Sequence, residues 1–289
     1  MEDRRVRVVA VVVDSAANVP PELARELRII VVPMYLRFGD EVFRDGVDLT
    51  PARFYERLVR NREPASSSTP SPGDYAEAFE ATGHDALVCV TVAADLSSSH
   101  QQASLAAREV GIRVEVIDSG SASMGEGFVA IEAARLAARG AGLDQVAARA
   151  QEVASRTSLV ATVDTFEYLQ RSGRVTRLQA YAATMLDIKP VFQLRRGEIT
   201  PIARSRSRGR ALARVVDESV AAFGERPAHL AVFHAAASKE AAAVASRIEA
   251  SARVLETFVV EVTPLIGAYT GPGMLGTAFF CDPPAEDGD

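Results

Sequence analysis

The sequence predicts an α/β protein with two domains. An N-terminal α/β/α three-layer domain with a mainly parallel sheet is expected over residues 1–155, and a two-layer α/β domain with a mixed sheet over residues 156–281. Three observations support this: a length of 289 residues suits two domains, the first half alternates β-branched runs with helical patterns, and the second half contains a β-hairpin pattern. The acidic residues 282–289 are predicted to form a disordered tail.

Apolar runs mark the strands of the first half. The run Val6–Val13 is apolar apart from Arg7 and ends at Asp14, which indicates a strand buried on both faces. A helix is predicted over 20–27, with Asn18 as its cap. Further strands are predicted over Ile29–Phe38, Ala86–Val92 and Ile112–Ile117, and further helices over about 51–60, 73–82, 98–110, 125–139 and 143–155.

The second half has a different order of patterns. Two short apolar runs around Gly197 predict a β-hairpin with the glycine in its turn. Two segments have loop composition, the Gly-rich 267–276 and the Ser/Pro-rich 64–72, which resembles a flexible linker. The remaining predictions are strands over 159–164, 191–194, 199–203, 229–234, 254–262 and 277–281, and helices over 208–223 and 238–251.

Composition excludes several classes of protein. With 48% hydrophobic and 24% charged residues, the chain is an ordinary globular sequence. Its longest apolar run, Ile29–Leu36, is far shorter than the roughly 20 residues of a membrane helix, so no membrane segment is expected. Cys89 and Cys281 lie in apolar strand-like runs, which predicts buried thiols in a cytoplasmic protein. Apart from the acidic end, the charge is close to neutral, so no nucleic-acid partner is predicted.

Common cofactor motifs are incomplete in this chain. Gly271–Gly276 has the G-x-G-x-x-G spacing, but no helix and no acid at the required distance follow it. Gly120–Gly125 has the spacing of a phosphate loop, but Glu126 occupies the position that requires lysine. The four histidines show no metal-ligand spacing. We therefore predict neither a cofactor nor a metal.

Three segments rich in hydroxyl groups or glycine follow predicted strands. They are Ser66–Ser71, Leu96–Ser99 and Ile266–Gly273. In open α/β sheets, ligands bind beyond the carboxyl ends of the strands, and hydroxyl groups beside a helix start suit an anion. Each serine alone also fits an ordinary helix cap. Together the segments indicate a protein that binds a carboxylate or a phosphate.

The order of several short motifs resembles the DegV-like family, bacterial fatty-acid-binding proteins that serve as FakB-type subunits of fatty acid kinase. The matching segments cover residues 6 to about 280. They are Asp14-Ser-Ala-Ala-Asn-Val-Pro20, Ser67-Ser-Thr-Pro-Ser71, Leu96-Ser-Ser-Ser-His-Gln-Gln-Ala103, Val116-Ile-Asp-Ser119, Leu169-Gln-Arg-Ser-Gly-Arg-Val175, Leu186-Asp-Ile-Lys-Pro190 and Ile266-Gly-Ala-Tyr-Thr-Gly-Pro-Gly273.

The resemblance implies a two-domain protein of the EDD fold that binds a long-chain fatty acid. Such a protein presents the carboxylate to a separate ATP-dependent kinase for phospholipid synthesis. Ser67, with Ser68 beside it, occupies the position of the family's carboxylate-binding threonine, and Ser97 that of its serine. Ser98 replaces a glycine, and Tyr269 stands where the family usually has a histidine. These five residues are the predicted ligand site, and no catalytic residue is predicted.

An arginine-rich stretch, Arg195–Arg214, begins in the turn of the hairpin pattern and continues beyond it. Such a stretch is commonly a solvated face, and it also suits an acidic or phosphate-bearing partner. We assign Arg174, Arg204 and Arg206 to docking of the kinase.

Two other functions remain open from the sequence. The same site could belong to an acyl hydrolase with Ser97 as nucleophile, although His100, the nearest histidine in sequence, is predicted to point to solvent from a helix. The protein could also be a lipid-responsive regulator or carrier with a partner other than a kinase, for which Tyr269 is the indication.

Overall fold

The structure is a computed structural model that describes residues 9–60, 64–174 and 188–283. The chain divides into two compact units. Unit 1 comprises Met1–Ser155 and Thr263–Ala268, and unit 2 comprises Arg156–Val262 and Tyr269–Asp289. The start of the predicted strand Val6–Val13 and residues 284–289 of the predicted tail lie outside the described residues.

The strands of unit 1 form two sheets. Its strands are β1 (Ala10–Asp14), β2 (Ile29–Val32), β3 (Tyr35–Phe38), β4 (Glu41–Arg44), β5 (Ala65–Ser68), β6 (Ala86–Thr91) and β7 (Arg113–Asp118). One sheet has the order β2-β1-β6-β7 and is parallel throughout. The other is antiparallel, with the order β4-β3-β5.

Helices cover the parallel sheet on both faces. The α-helices of unit 1 are α1 (Pro21–Glu26), α2 (Pro51–Tyr55), α3 (Pro72–Ala81), α4 (Ser99–Glu109), α5 (Met124–Ala138) and α6 (Leu143–Arg156), and a π-helical turn (Glu56–Arg60) follows α2. Tyr75 and Phe79 of α3, together with α4, pack on one face against Val12 and Leu87. Helix α5 packs against β1 and β6. The predicted α/β/α arrangement is confirmed.

The small antiparallel sheet was not predicted. The apolar run Ile29–Phe38, expected to be one strand, is divided into β2 and β3, which belong to different sheets. Pro33 lies between them, and a proline cannot donate to a strand ladder. The Pro64–Pro72 segment, which resembles a linker, contains β5, whose residues pair with β3.

The predicted cap of α1 is also wrong. Asn18 has a φ of 54° and ends a short 3₁₀ turn (Ser15–Ala17), while Pro20 precedes α1 without a side-chain cap bond. Asparagine adopts the left-handed conformation more readily than most residues. This preference explains why Asn18 ends the 3₁₀ turn and does not cap α1.

The described strands of unit 2 form one mixed sheet. Its strands are β8 (Ser158–Thr162), β9 (Lys189–Arg195), β10 (Glu198–Ser205), β11 (Ala228–His234), β12 (Val254–Glu261) and β13 (Leu275–Cys281). Their order is β10-β9-β8-β13-β11-β12, and only β11 and β12 pair in parallel. The turn between β9 and β10 holds Arg196 and Gly197 at positive φ, as a two-residue hairpin requires, so the predicted hairpin is confirmed.

Helices pack on the sheet of unit 2. Within the described residues of this unit, the helices that lie wholly inside it are α7 (Glu167–Ser172), α8 (Arg208–Phe223) and α9 (Ser238–Glu249). Val215 of α8 and Val244 of α9 join Leu230, Val232 and Phe279 of the sheet in one apolar core. The predicted two-layer arrangement with a mixed sheet is confirmed.

The Gly-rich segment 267–276 is only partly a loop. Its first residues belong to α10 (Pro264–Thr270), of which Pro264–Ala268 belong to unit 1 and the last two residues to unit 2. A single glycine within a helix, here Gly267, costs only about 1 kcal/mol relative to alanine, and packing readily offsets this cost. Among the described residues, no helix is long and apolar enough to span a membrane.

Candidate functional site

Hydroxyl groups from two distant segments meet in unit 1. The Thr69 hydroxyl, just after β5, lies 3.3 Å from the Ser98 hydroxyl at the start of α4. We call Thr69, Ser97, Ser98 and Ser99 the hydroxyl cluster. It lies beyond the carboxyl end of β6, where open parallel sheets bind ligands.

Ser97 has a local structural role within this cluster. Its hydroxyl oxygen accepts the backbone N–H of Ser99 at 3.2 Å, and the two hydroxyl oxygens are 3.0 Å apart. Ser98, the residue immediately before α4, makes no side-chain cap bond, so Ser97 satisfies a free N–H of the first turn in its place. Ser97 is half-buried and Ser98 is exposed.

Ser67 and Ser68 lie side by side on β5. They pair with Leu36 and Tyr35 of β3, and successive residues of a strand point to opposite faces. Ser67 is half-buried and Ser68 is exposed. The member of this segment whose hydroxyl contacts Ser98 is Thr69, which sequence reasoning did not select, although it lies inside the hydroxyl-rich segment Ser66–Ser71.

Two fully buried carboxyl groups lie behind the hydroxyl cluster. Asp14, the last residue of β1, accepts the backbone N–H groups of Ala16 at 3.0 Å and Val92 at 3.1 Å. Burial raises its pKa to about 6, and these N–H donors limit the rise. Glu126 of α5 has a pKa well above its usual range, because of burial and of the Asp14 charge. The sequence patterns identify neither residue as part of a site, although Glu126 stands where a phosphate loop has lysine.

A third buried acid fixes the start of α10. Asp45 accepts the Ser15 hydroxyl at 2.7 Å and the backbone N–H of Leu265 at 2.9 Å. Burial raises its pKa to about 6, and these hydrogen bonds oppose the rise. The helix is also closely packed, because a Cβ at Gly267 would approach the Tyr55 hydroxyl to 2.6 Å.

In unit 2, Tyr269 lies in the last turn of α10, partly buried. The Arg174 guanidinium lies over its ring, 5.0 Å from the ring centroid, and this arrangement is a cation–π contact. Arg174 itself is exposed and donates to the carbonyl of Ser172 at 2.6 Å. The structure therefore brings together a residue predicted to bind the ligand and one predicted to bind a partner.

Ion pairs hold the loop that follows Tyr269. Arg208 donates to the carbonyl oxygen of Gly273 and to Asp164 at 3.2 Å, and it pairs with Glu240 at 2.9 Å. Lys189 reaches the same Asp164 carboxylate at 3.0 Å. Gly273 has a φ of +79°, and a Cβ there would overlap the Asp164 carboxylate, so this position requires glycine.

The other residues discussed from the sequence are the arginines Arg204 and Arg206 and the histidine His100. Arg204, near the end of β10, and Arg206, just beyond it, are exposed. The His100 ring lies 3.4 Å from the Thr91 hydroxyl through its Nδ1 atom. Among the described residues, no group of three or more His, Cys, Asp or Glu side chains could hold a metal ion.

Comparison with known proteins places the chain in a family. The profile of a family described as "Uncharacterised protein, DegV family" matches residues 8–282. A DegV domain-containing protein of Streptomyces coelicolor is 35% identical over 274 residues, which cover 93% of this chain and 97% of the relative.

Solved structures of DegV family proteins also superpose on this chain. A structure of a DegV family protein from Thermus thermophilus, named for its fatty acid binding, superposes with a TM-score of 0.89 at 29% identity and covers 95% of this chain and 99% of that one. DegV of Bacillus subtilis, named as a fatty acid binding protein, superposes with a TM-score of 0.83 at 26% identity and covers 96% and 100%.

Proposed function

The chain belongs to the DegV family, and we propose that it binds a long-chain fatty acid as a ligand. Its relatives from T. thermophilus and B. subtilis are fatty-acid-binding proteins. One observation in this chain carries the proposal, the contact of 3.3 Å between the Thr69 and Ser98 hydroxyl groups. It brings two hydroxyl-bearing segments to the carboxyl end of a parallel sheet, where a carboxylate can be bound by neutral donors.

We assign the carboxylate to the hydroxyl cluster, with Ser97 and Ser98 as its central residues. Ser67 and Ser68 remain proposals from the sequence, and the strand geometry favours one of the two, since their side chains point to opposite faces. Tyr269 remains a proposed phenol donor. Its ring already contacts the Arg174 guanidinium.

Burial of the acyl chain supplies the binding free energy. At about 0.8 kcal/mol per buried CH₂, roughly 14 methylenes contribute about 11 kcal/mol before the cost of association. Hydroxyl donors then need only to orient the head group. An arginine clamp is not required, which agrees with a cluster built from neutral side chains.

The partner in this proposal is a separate ATP-dependent fatty acid kinase in the cytoplasm. The exposed Arg204 and Arg206, with Arg174, form the docking surface, because arginines steer and orient acidic or phosphate-bearing partners. The buried free thiols Cys89 and Cys281 suit a cytoplasmic protein. In this proposal the protein presents its ligand and the kinase performs phosphoryl transfer.

The geometry at Ser97 favours binding over hydrolysis. A serine nucleophile needs a neighbouring base, whereas the Ser97 hydroxyl contacts Ser99 and the His100 ring lies by Thr91. Incubation with acyl esters tests this directly. Hydrolysis that Ser97→Ala abolishes would overturn the proposal in favour of an enzyme.

The main test is the ligand itself. Protein purified from a bacterial host, denatured and extracted, should release a long-chain fatty acid in near-equal molar amount by mass spectrometry. Absence of lipid, together with failure to take up added palmitate or oleate, would contradict the proposal. Acyl phosphate formed with a fatty acid kinase would separate the presenting subunit from a regulator with another partner.

The second test addresses the site. Loss of a hydrogen bond to a charged group costs about 1.5–3 kcal/mol, so Ser97→Ala should weaken fatty acid binding roughly 10- to 150-fold. Ser104→Ala is the matched control, because its hydroxyl lies on the same helix and bonds the carbonyl of His100 at 2.7 Å. Equal affinities of the two variants would show that the carboxylate lies elsewhere.

A further inference from the structure

The sheet of unit 2 has two edge strands, and they differ in how they are protected. β10 contains Pro201, a register shift between Pro201 and Ala203, and the exposed Arg204 near its end. Proline, irregular pairing and surface charge are the features that keep an edge strand from pairing with another chain. Among the described strands, β12 at the other edge pairs with β11 alone, and it contains no proline, lysine or arginine. Its outer edge is therefore open to a further strand.

Only part of β12 is regular. Its pairing with β11 shifts by one residue at Leu255, and such a bulge interrupts the ladder. At the other end, Pro264 begins α10. The backbone N–H of Val262, just after the strand, still donates to the carbonyl oxygen of His234 on β11 at 2.9 Å. The regular segment therefore comprises residues 256–262, and we call it the open edge.

The bond made by Val262 shows which residues of the open edge direct their backbone groups outward. Alternate residues of a strand bond to opposite sides. Since Val262 bonds to β11, the backbone groups of Thr257, Val259 and Glu261 point away from β11. Their side chains share one face of the sheet, and the Val259 side chain is 46% exposed. An exposed β-branched residue at an unpaired position favours the addition of a strand.

We propose that the open edge pairs with the same edge of a second copy of this chain, antiparallel and with the two-fold axis at Val259. Val259 is the middle residue of the segment 256–262 and directs its backbone groups outward. In a symmetric antiparallel pair it lies opposite Val259 of the second copy, and the two residues exchange both N–H···O=C bonds. The two exposed valine side chains then cover each other. This inference goes beyond the proposed function, because it concerns assembly and not the ligand.

The residues on either side of Val259 are complementary in this register. Thr257 lies opposite Glu261 of the second copy, so its hydroxyl can donate to that carboxylate. Phe258 lies opposite Val260 of the second copy, and an aromatic residue facing a β-branched one stabilises a pair of strands. The open edge is therefore self-complementary in both polarity and shape.

Neighbouring registers are less favourable. An axis at Thr257 would require regular pairing at Leu255, where the strand is irregular. An axis at Glu261 would place two carboxylates opposite each other, which is destabilising. The remaining acid of the strand, Glu256, lies 2.6 Å from the His229 ring of its own chain and has a partner there. Charge and regularity together select the axis at Val259.

Sedimentation equilibrium of the full chain tests the inference. We expect a monomer–dimer equilibrium with a dissociation constant in the micromolar range, because one pair of short strands is smaller than the roughly 1,200–2,000 Å² of a stable interface. A chain that stays monomeric up to about 0.5 mM would overturn the inference.

Two substitutions of opposite charge at Thr257 test the register. Thr257→Lys places an ammonium group opposite Glu261 of the second copy, and symmetry gives two such pairs per dimer. It should therefore lower the dissociation constant about 2- to 30-fold, and Glu261→Gln in the same chain should cancel the gain. Thr257→Glu places like charges opposite each other and should raise the constant by a similar factor. Equal dissociation constants of the lysine and glutamate variants would overturn the inference.

A charge at the axis should abolish the dimer. Val259→Lys places two ammonium groups opposite each other, and lysine on an edge strand opposes pairing. Arg195→Glu is the control, because Arg195 is exposed at the end of β9, toward the other edge of the same sheet. It should leave the dissociation constant unchanged. A dimer that Val259→Lys does not weaken would show that another surface holds the copies together, and would overturn the inference.

Discussion

The two units hold their functional loops by opposite means. In unit 1, the buried carboxyl groups of Asp14 and Asp45 accept backbone N–H groups and hydroxyls. In unit 2, Arg208 and Lys189 hold the loop at Gly273 through ion pairs with Asp164, whose side chain is 42% exposed. Buried acids make geometry depend on proton concentration, whereas exposed pairs make it depend on salt.

The two kinds of contact also differ in the free-energy cost of removing one partner. Removal of a buried acceptor leaves N–H groups without water or partner, and each such group costs about 1–3 kcal/mol. Removal of one partner from an exposed pair lets water replace it, at a cost of about 0–1 kcal/mol. We therefore expect the segments held by Asp14 and Asp45 to be the more rigid and the surface around Arg208 to be the more tolerant of substitution.

The largest expected effect is at Asp45. Asp45→Ala leaves the Ser15 hydroxyl and the Leu265 N–H without their acceptor, and should lower the free energy of unfolding by about 2–4 kcal/mol. Urea unfolding followed by far-UV circular dichroism measures this, since the chain has no tryptophan. Asp45→Asn keeps an acceptor oxygen and should recover at least half of the loss; equal losses in both variants would contradict the account.

The second effect concerns pH. The native pKa values of Asp14 and Asp45 are about 6, against 3.8 for the unfolded chain. Between these values the native state binds more protons, so the free energy of unfolding falls as pH rises, by about 2 kcal/mol for each of the two groups from pH 4.5 to 7. Glu126, raised further by burial, extends the fall to higher pH.

Glu126→Gln sharpens this prediction, because glutamine keeps the shape and cannot titrate. The variant should lose less stability than the natural chain between pH 6 and 8, by urea unfolding at each pH. Glu132→Gln is the control. Arg149 and Arg135 hold the pKa of Glu132 below its usual range despite its burial, so protonation of Glu132 affects stability only at more acidic pH. A natural chain more stable at pH 7.5 than at pH 5 would refute the assignment.

A smaller effect is expected at Asp164. Asp164→Ala removes the ion pairs to Lys189 and Arg208, while Arg208 keeps its pair with Glu240. The loss should be about 0.5–1 kcal/mol at low salt and should vanish near 0.5 M NaCl, since screening weakens exposed pairs. A loss that salt does not alter would show that unit 2 also depends on buried polar contacts.

The smallest effect on stability is expected at the exposed arginines. Reversal of both Arg204 and Arg206 to glutamate should change the free energy of unfolding by less than about 0.5 kcal/mol. Fatty acid content should stay the same, and acyl phosphate formation with a kinase should fall and lose salt dependence. Arg247→Glu, exposed on α9, is the charge-matched control; reduced lipid with unchanged coupling per bound lipid would assign these arginines to the ligand instead.

The sequence by itself determined the parallel sheet of unit 1 and the mixed sheet of unit 2. Continuous apolar runs such as that ending at Asp14 predict buried parallel strands, and a glycine between two β-branched runs predicts the β9–β10 hairpin. These signals are local, because hydrophobic periodicity and turn-forming residues can be recognised from neighbouring positions in the sequence. The helical pattern over 98–110 also places Ser97 and Ser98 at the start of α4.

Only the tertiary structure decided which polar groups meet. Thr69 and Ser98 are 29 residues apart in the sequence and their hydroxyls are 3.3 Å apart. Asp14 and Glu126 are further apart still in the sequence, yet the charge of Asp14 raises the pKa of Glu126. No local pattern encodes such contacts, since they depend on strand order and on how α5 packs against β1. The split of Ile29–Phe38 between two sheets has the same origin: its apolar residues specify burial, but the partners that bury them come from elsewhere in the chain.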